Sequence, residues 1–248
     1  MRIALLFGMF GGMMFTNLAF AEGPVLVTSP IDTVYTPLGF DDNDDAEIVL
    51  RGKFPDTCFK VGPTTAVVNR DEKTITVDAK AYQYSGETCL KVEAPFLQSV
   101  KMGPLPVGEY TVQVLNRDVS ALNLKVIASQ TDNPDDFLYA PVEAVSFNKG
   151  LGTQKSSGTQ KIVLEGHYPY TFLGCMKLDE VRTQVTPGRV LVVQPIAKMY
   201  TDNADCTDQA TTKAFRVEHE IDAPEGEYLA HVRVLAGQSL NRTVDTRD

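Results

Sequence analysis

One phrase occurs twice in this chain. Ile48-Val49-Leu50-Arg51-Gly52 leads through Phe54-Pro55 to Cys58, and Cys89 follows 31 positions later. Ile162-Val163-Leu164-Glu165-Gly166 leads through Tyr168-Pro169 to Cys175, and Cys206 again follows 31 positions later. Such an echo restricts the fold to two copies of one unit. It extends beyond the cysteines: Pro30-Ile31 has its counterpart in Pro141-Val142, Pro106 to Tyr110 in Pro224 to Tyr228, and Leu122-Asn123 in Leu240-Asn241. The offset between copies is 111 at those first prolines, 114 at the apolar triplet, 117 at the cysteines and 118 beyond them. The second copy therefore carries small insertions, which belong in loops.

An even number of cysteines in an exported chain implies disulfides. Four cysteines allow three connectivities; a duplicated unit that carries its own staple selects Cys58–Cys89 and Cys175–Cys206. In the chain-entropy account, closing a loop of that length stabilises each unit by about 3–4 kcal/mol. No C-x-x-C pair is present, and so wide a spacing does not suit a zinc site. Export is read from the N-terminus. Arg2 precedes an apolar run from Ile3 to Leu18, and Ala19-Phe20-Ala21 is a small-x-small cleavage site. The expectation is a leader over 1–21, cut after Ala21, and a mature chain without a transmembrane segment, periplasmic or secreted. The net charge of −9 repels phosphate backbones, which argues against nucleic acid as a partner, and it does not suit an anionic membrane surface.

Within each copy the patterns are those of strands. Ala66 to Val68 and Thr74 to Val77 flank the polar cluster Asn69 to Lys73, which predicts a hairpin. Val181 to Thr186 and Val190 to Gln194 flank Pro187-Gly188, which predicts a hairpin with a type II turn. Thr111 to Val114 and Ala230 to Val234 alternate with period two, and no long segment keeps a helical apolar period. About seven strands per copy are expected, with repeat 1 over 22–128, a Pro- and Asp-rich linker over 129–137 and repeat 2 over 138–248. The linker is short, so the two units are expected end to end.

Gly108-Glu109-Tyr110 and Gly226-Glu227-Tyr228 resemble the turn before strand F of immunoglobulin-like and fibronectin-like modules. The resemblance implies an all-β fold of two tandem immunoglobulin-like β-sandwich domains, each with one intradomain disulfide. It also implies a tyrosine corner, in which the hydroxyl bonds back to the upstream backbone. The chain departs from antibody-type domains in lacking tryptophan and in carrying Val112 and Ala230 two residues after the tyrosines, so its disulfides join other positions.

Catalytic signatures are missing. His167, His219 and His231 all lie in the second copy with no partner constellation, and neither H-E-x-x-H nor G-x-S-x-G occurs. His219 and His231 could approach across the turn at Pro224 to Gly226; the bland reading, two polar residues of a hairpin, is favoured because the first copy has Gln113 at the position of His231. No cofactor or metal ligand set is assigned. The acidic stretches Asp41 to Asp45 and Asp132 to Asp136 have ligand types that suit calcium. The EF-hand template fails, with Ala46 at its sixth position and Gly52 at its twelfth. Strict alternation places Tyr82 and Tyr84 on the polar face of their strand with Asp78 and Lys80, and Tyr168 and Tyr170 form a second aromatic spot. These four tyrosines are the candidate binding surface. The function expected is that of an exported, non-enzymatic binding or structural module with a protein or glycan partner. The alternatives are a secreted enzyme or enzyme inhibitor with its site on converging loops, and a purely structural spacer.

Overall fold

The computed structural model describes residues 23–85, 88–117, 122–148, 160–169, 175–200 and 213–247, which form strands, turns and connecting segments and no helix. The expected leader lies outside the described residues, as do Tyr170 and Cys206. The strands are β1 (Val25–Thr28), β2 (Ile31–Tyr35), β3 (Phe40–Asp41), β4 (Ala46–Phe54), β5 (Phe59–Asn69), β6 (Thr74–Gln83), β7 (Ala94–Gly103), β8 (Gly108–Val114), β9 (Leu122–Ile127), β10 (Val142–Asn148), β11 (Gln160–Tyr168), β12 (Cys175–Val185), β13 (Val190–Tyr200), β14 (Lys213–Ile221), β15 (Glu227–Val234) and β16 (Gln238–Asp245).

Period-two patterning builds two sheets from the first nine strands. One has the order β2-β4-β7; the other runs β1-β6-β8-β9-β3, with β5 on the far side of β6. Ile75, Val77, Ala79 and Ala81 alternate on the buried side of β6. Ile75, Val77 and Ala79, with Val112, Leu124 and Val126, meet Val34, Ile48, Leu50 and Val100 of the opposite sheet in one core. This is a β-sandwich. The later strands pair in the same sequence, as β10-β11-β14 against β12-β13-β15-β16, around Val145, Ile162, Leu164, Leu191, Val193 and Val232.

Two local features explain the echoed phrase. Gly52 and Gly166 sit opposite register shifts in β2 and β10. A Cβ there would come within 2.1 Å of the carbonyl oxygen of Pro30 or Pro141, with the ring of Phe96 or Phe215 at 2.7 or 2.9 Å. Only glycine lets the backbones approach so closely. In the first copy the unbroken apolar run has a second cause: Ile48 and Leu50 face the first core, whereas Val49 faces outward onto the second sandwich.

Three expectations are corrected. β6 and β8 pair in parallel, as do β13 and β15, unlike the antiparallel sheets of the immunoglobulin plan. Between the partners the chain crosses to the other sheet as β7 or β14 and returns running the same way. The turn after β12 is not type II. The Thr186 carbonyl accepts from the Arg189 amide at 3.0 Å, and the positive φ, 57°, belongs to Arg189 rather than Gly188, as in a type I turn followed by a left-handed residue. Finally, the sandwiches do not sit end to end. Tyr35, Val49 and Leu97 on the outer face of β2-β4-β7 pack against Val190, Val192 and Leu229 on the outer face of β13 and β15. Four sheets are thus layered face on face, because the linker folds back along the first sandwich instead of extending from it.

Candidate functional site

Two regions concentrate chemistry: the seam between the sandwiches, and the far end of the first sandwich.

At the seam, β15 places His231 and Arg233 on the face that meets β4, and both are buried. His231 Nδ1 lies 3.0 Å from Asn241 Oδ1 and 3.3 Å from Glu47 Oε1. Both are acceptors, so Nδ1 carries the proton. Glu47 also accepts from Ser239 Oγ at 2.7 Å and Asn241 Nδ2 at 2.8 Å, and Asn241 Nδ2 reaches Ser99 Oγ at 2.8 Å. Burial disfavours the Glu47 carboxylate. The hydrogen bond and charge of His231, with the bonds from Ser239 and Asn241, outweigh that cost and bring its pKa down to about 2.

Arg233 anchors the other half of the seam. It donates to the Gly39 carbonyl at 2.7 Å, pairs with Asp44 at 3.3 Å and Asp135 at 3.7 Å, and lies 4.1 Å over the Phe40 ring. The two acidic stretches therefore converge. The Asp135 amide donates to Asp44 Oδ1 at 3.1 Å, the Ser129 amide to Asp42 at 2.9 Å, and Asn43 Nδ2 to the Thr131 carbonyl at 2.8 Å. Burial raises the pKa of Asp41 and Asp135, and the negative charge of Asp44 adds to both shifts. These carboxylates cap backbone amides and hold the linker to the first sandwich. Among the described residues, the group with three potential ligand atoms within 4.8 Å of one another is Asp56, Cys58 and Cys89, and its two sulfurs are bonded to each other.

The far end lies where β4 and β6 finish and β1, β5 and β7 begin. Here Cys58 and Cys89 form a disulfide. The Thr57 amide donates to the Leu90 carbonyl at 3.2 Å, the Leu90 amide to Thr57 Oγ1 at 3.0 Å, and Lys91 pairs with Asp56 at 2.7 Å. Phe54 stacks between Phe59 and Phe96 beneath them. On this braced base Val25, Leu26, Leu90 and Val92 are 59%, 52%, 62% and 55% exposed. Tyr82 keeps its phase and is half-buried on the outer face, between Leu26 and Lys60 on the neighbouring strands. Tyr84, also half-buried, has Lys60 Nζ 4.7 Å over its ring.

The other candidates lie elsewhere. Tyr168 turns inward: its ring stacks on Phe215 with centroids 4.6 Å apart, and its hydroxyl accepts from the Leu178 amide at 2.8 Å. Cys175 is disulfide-bonded. His219 on β14 and His231 on β15 belong to different sheets, so they do not meet across the turn. His167 pairs with Glu143 at 2.9 Å beside an open groove of about 410 Å³ lined also by Glu165, Gly166, Phe215 and Arg216. Both partners are exposed, and such a pair contributes little. Sequence reasoning missed the seam, although Glu47, His231 and Arg233 carried a signal: each is a charged or polar residue inside an apolar strand.

A family model for the ORF11 β-sandwich domain matches residues 48–124, from β4 to β9 of the first sandwich. No curated protein and no solved structure matches the chain. No helix among the described residues is long and apolar enough to cross a membrane.

Proposed function

We propose that this chain is an exported, non-enzymatic binding module, built as tandem sandwich repeats and acting in the periplasm or outside the cell. The observation that carries this reading is the far end of the first sandwich, where exposed aliphatic side chains stand beside two tyrosines on a base fixed by a disulfide and an aromatic stack. Rigid apolar and aromatic anchors bind with little ordering cost. The buried ionisable groups pair across the seam, Glu47 with His231 and Asp44 with Arg233, and all four are shielded from solvent. A disulfide suits an oxidising compartment, and the leader read from the sequence would deliver the chain there. The test is capture from envelope fractions, together with a glycan array, using the exported chain and a variant with Leu90→Asp and Val92→Asp. A ligand retained by the parent and lost by the variant is expected. Equal capture by both, or none by either, overturns the reading.

A further inference from the structure

We infer that the partner of the far end is a lipid bilayer of low charge, into whose interface Val25, Leu26, Leu90 and Val92 insert; this rests on the reading of that end as the binding surface. Three observations favour a bilayer. The first is position. β1 begins at this end, with Val25 paired to Gln83 and Leu26 to Tyr82, which sets two exposed aliphatics beside the tyrosine-bearing end of β6.

The second is composition. Aliphatic side chains, tyrosines and lysines together make an interfacial surface: the rings rest at headgroup depth and the lysine stems lie along apolar surface while their ammonium groups reach water. Lys91 has a side chain 81% exposed between Leu90 and Val92. Its pairing with Asp56, and those of Lys53 with Glu93 and Lys80 with Asp78, balance the local charges on a chain of net charge −9. Apolar insertion, not attraction to anionic lipid, is the driving force.

The third is that two competing modes are obstructed. Lys60 occupies a face of Tyr84 where a sugar would stack. The neighbouring edge strand β5 is broken by Pro63 and a register shift between Val61 and Thr64, which spoils it for strand addition.

The chain contains no tryptophan, so Leu90→Trp gives a fluorescence probe without background. The exported chain, collected after removal of its leader, is mixed with phosphatidylcholine–phosphatidylethanolamine vesicles. A blue shift and co-flotation are expected, unchanged by salt and weakened when phosphatidylglycerol is added. Val92→Asp should reduce vesicle binding by about tenfold or more. Val107→Asp, at an aliphatic residue 49% exposed near the opposite end, should leave it intact. Absence of vesicle binding, or equal loss in both aspartate variants, overturns the inference. If vesicles fail while capture from envelope fractions still depends on Leu90 and Val92, the partner is not lipid and the proposed function stands. If both fail, both fall.

Discussion

Single residues at two kinds of position decide whether this fold forms. Gly52 and Gly166 allow a strand to pass a neighbouring carbonyl closer than any side chain permits. Gly52→Ala and Gly166→Ala should each cost at least about 2 kcal/mol in urea unfolding, well above the usual effect of alanine for glycine in a strand. The seam residues are governed by charge. Glu47 has a folded pKa of about 2 against an ordinary 4.5. A depressed carboxyl pKa gives stability that is full above the unfolded value and lost as pH falls through the folded one. The shift corresponds to about 3 kcal/mol, lost between roughly pH 5 and 2. Glu47→Gln should therefore be destabilising at pH 7 and show a flatter acid limb. Asp135 is shifted the other way, so its contribution weakens as pH rises above the ordinary carboxyl range. Asp135→Asn should hold or raise the melting temperature at neutral pH. Opposite signs for the two variants in a melting scan are the check.

Elements show how much could be read in advance. The hairpin β5–β6 was legible because Asn69 to Lys73 is a polar cluster between alternating strands. The Tyr110 hydroxyl donates to the Pro106 carbonyl at 2.8 Å, as the Pro-x-Gly-x-Tyr motif implied. The disulfide at Cys58 was legible from the repeat. Sheet order was not, because alternation fixes which face of a strand is buried and is silent about its neighbour. The roles of His231 and Arg233 were hidden for a related reason: their partners, Glu47, Asp44 and Asp135, lie about a hundred or more positions away in sequence. The stacking of Tyr168 on Phe215 was not legible because the two residues lie on different strands. Comparison of the two copies does expose the seam. In the parallel pairs, Val190 faces Leu229 in the second copy and Thr74 faces Thr111 in the first, with Val192 answered by Thr76. Val192→Thr should cost about 1–3 kcal/mol and render residues 129–137 more open to limited proteolysis, whereas Thr76→Val should leave that cleavage unchanged.

The whole molecule is one braced unit, since its two cores are joined by a third apolar cluster and a ring of polar bonds. Arg233→Ala strands the buried Asp44 and the part-buried Asp135 and should cost about 3–5 kcal/mol, with a larger radius of gyration in solution scattering as the sandwiches separate. Verified reduction of the disulfides should lower the melting temperature.

The contact between sandwiches is heterologous: a three-stranded face receives a four-stranded one. Contacts of that kind can repeat without limit if the receiving face recurs. Here the recurrence is refused. Where the first copy receives its neighbour with Arg51 and Leu97, a register pair of β4 and β7, the second copy presents Glu165 and Arg216, an exposed ion pair. At the other pole, threonines stand where valines would be needed to dock. The two sandwiches thus form a pair bounded on both outer faces by polar side chains, and a third sandwich laid on either face would find no dry surface to seat on.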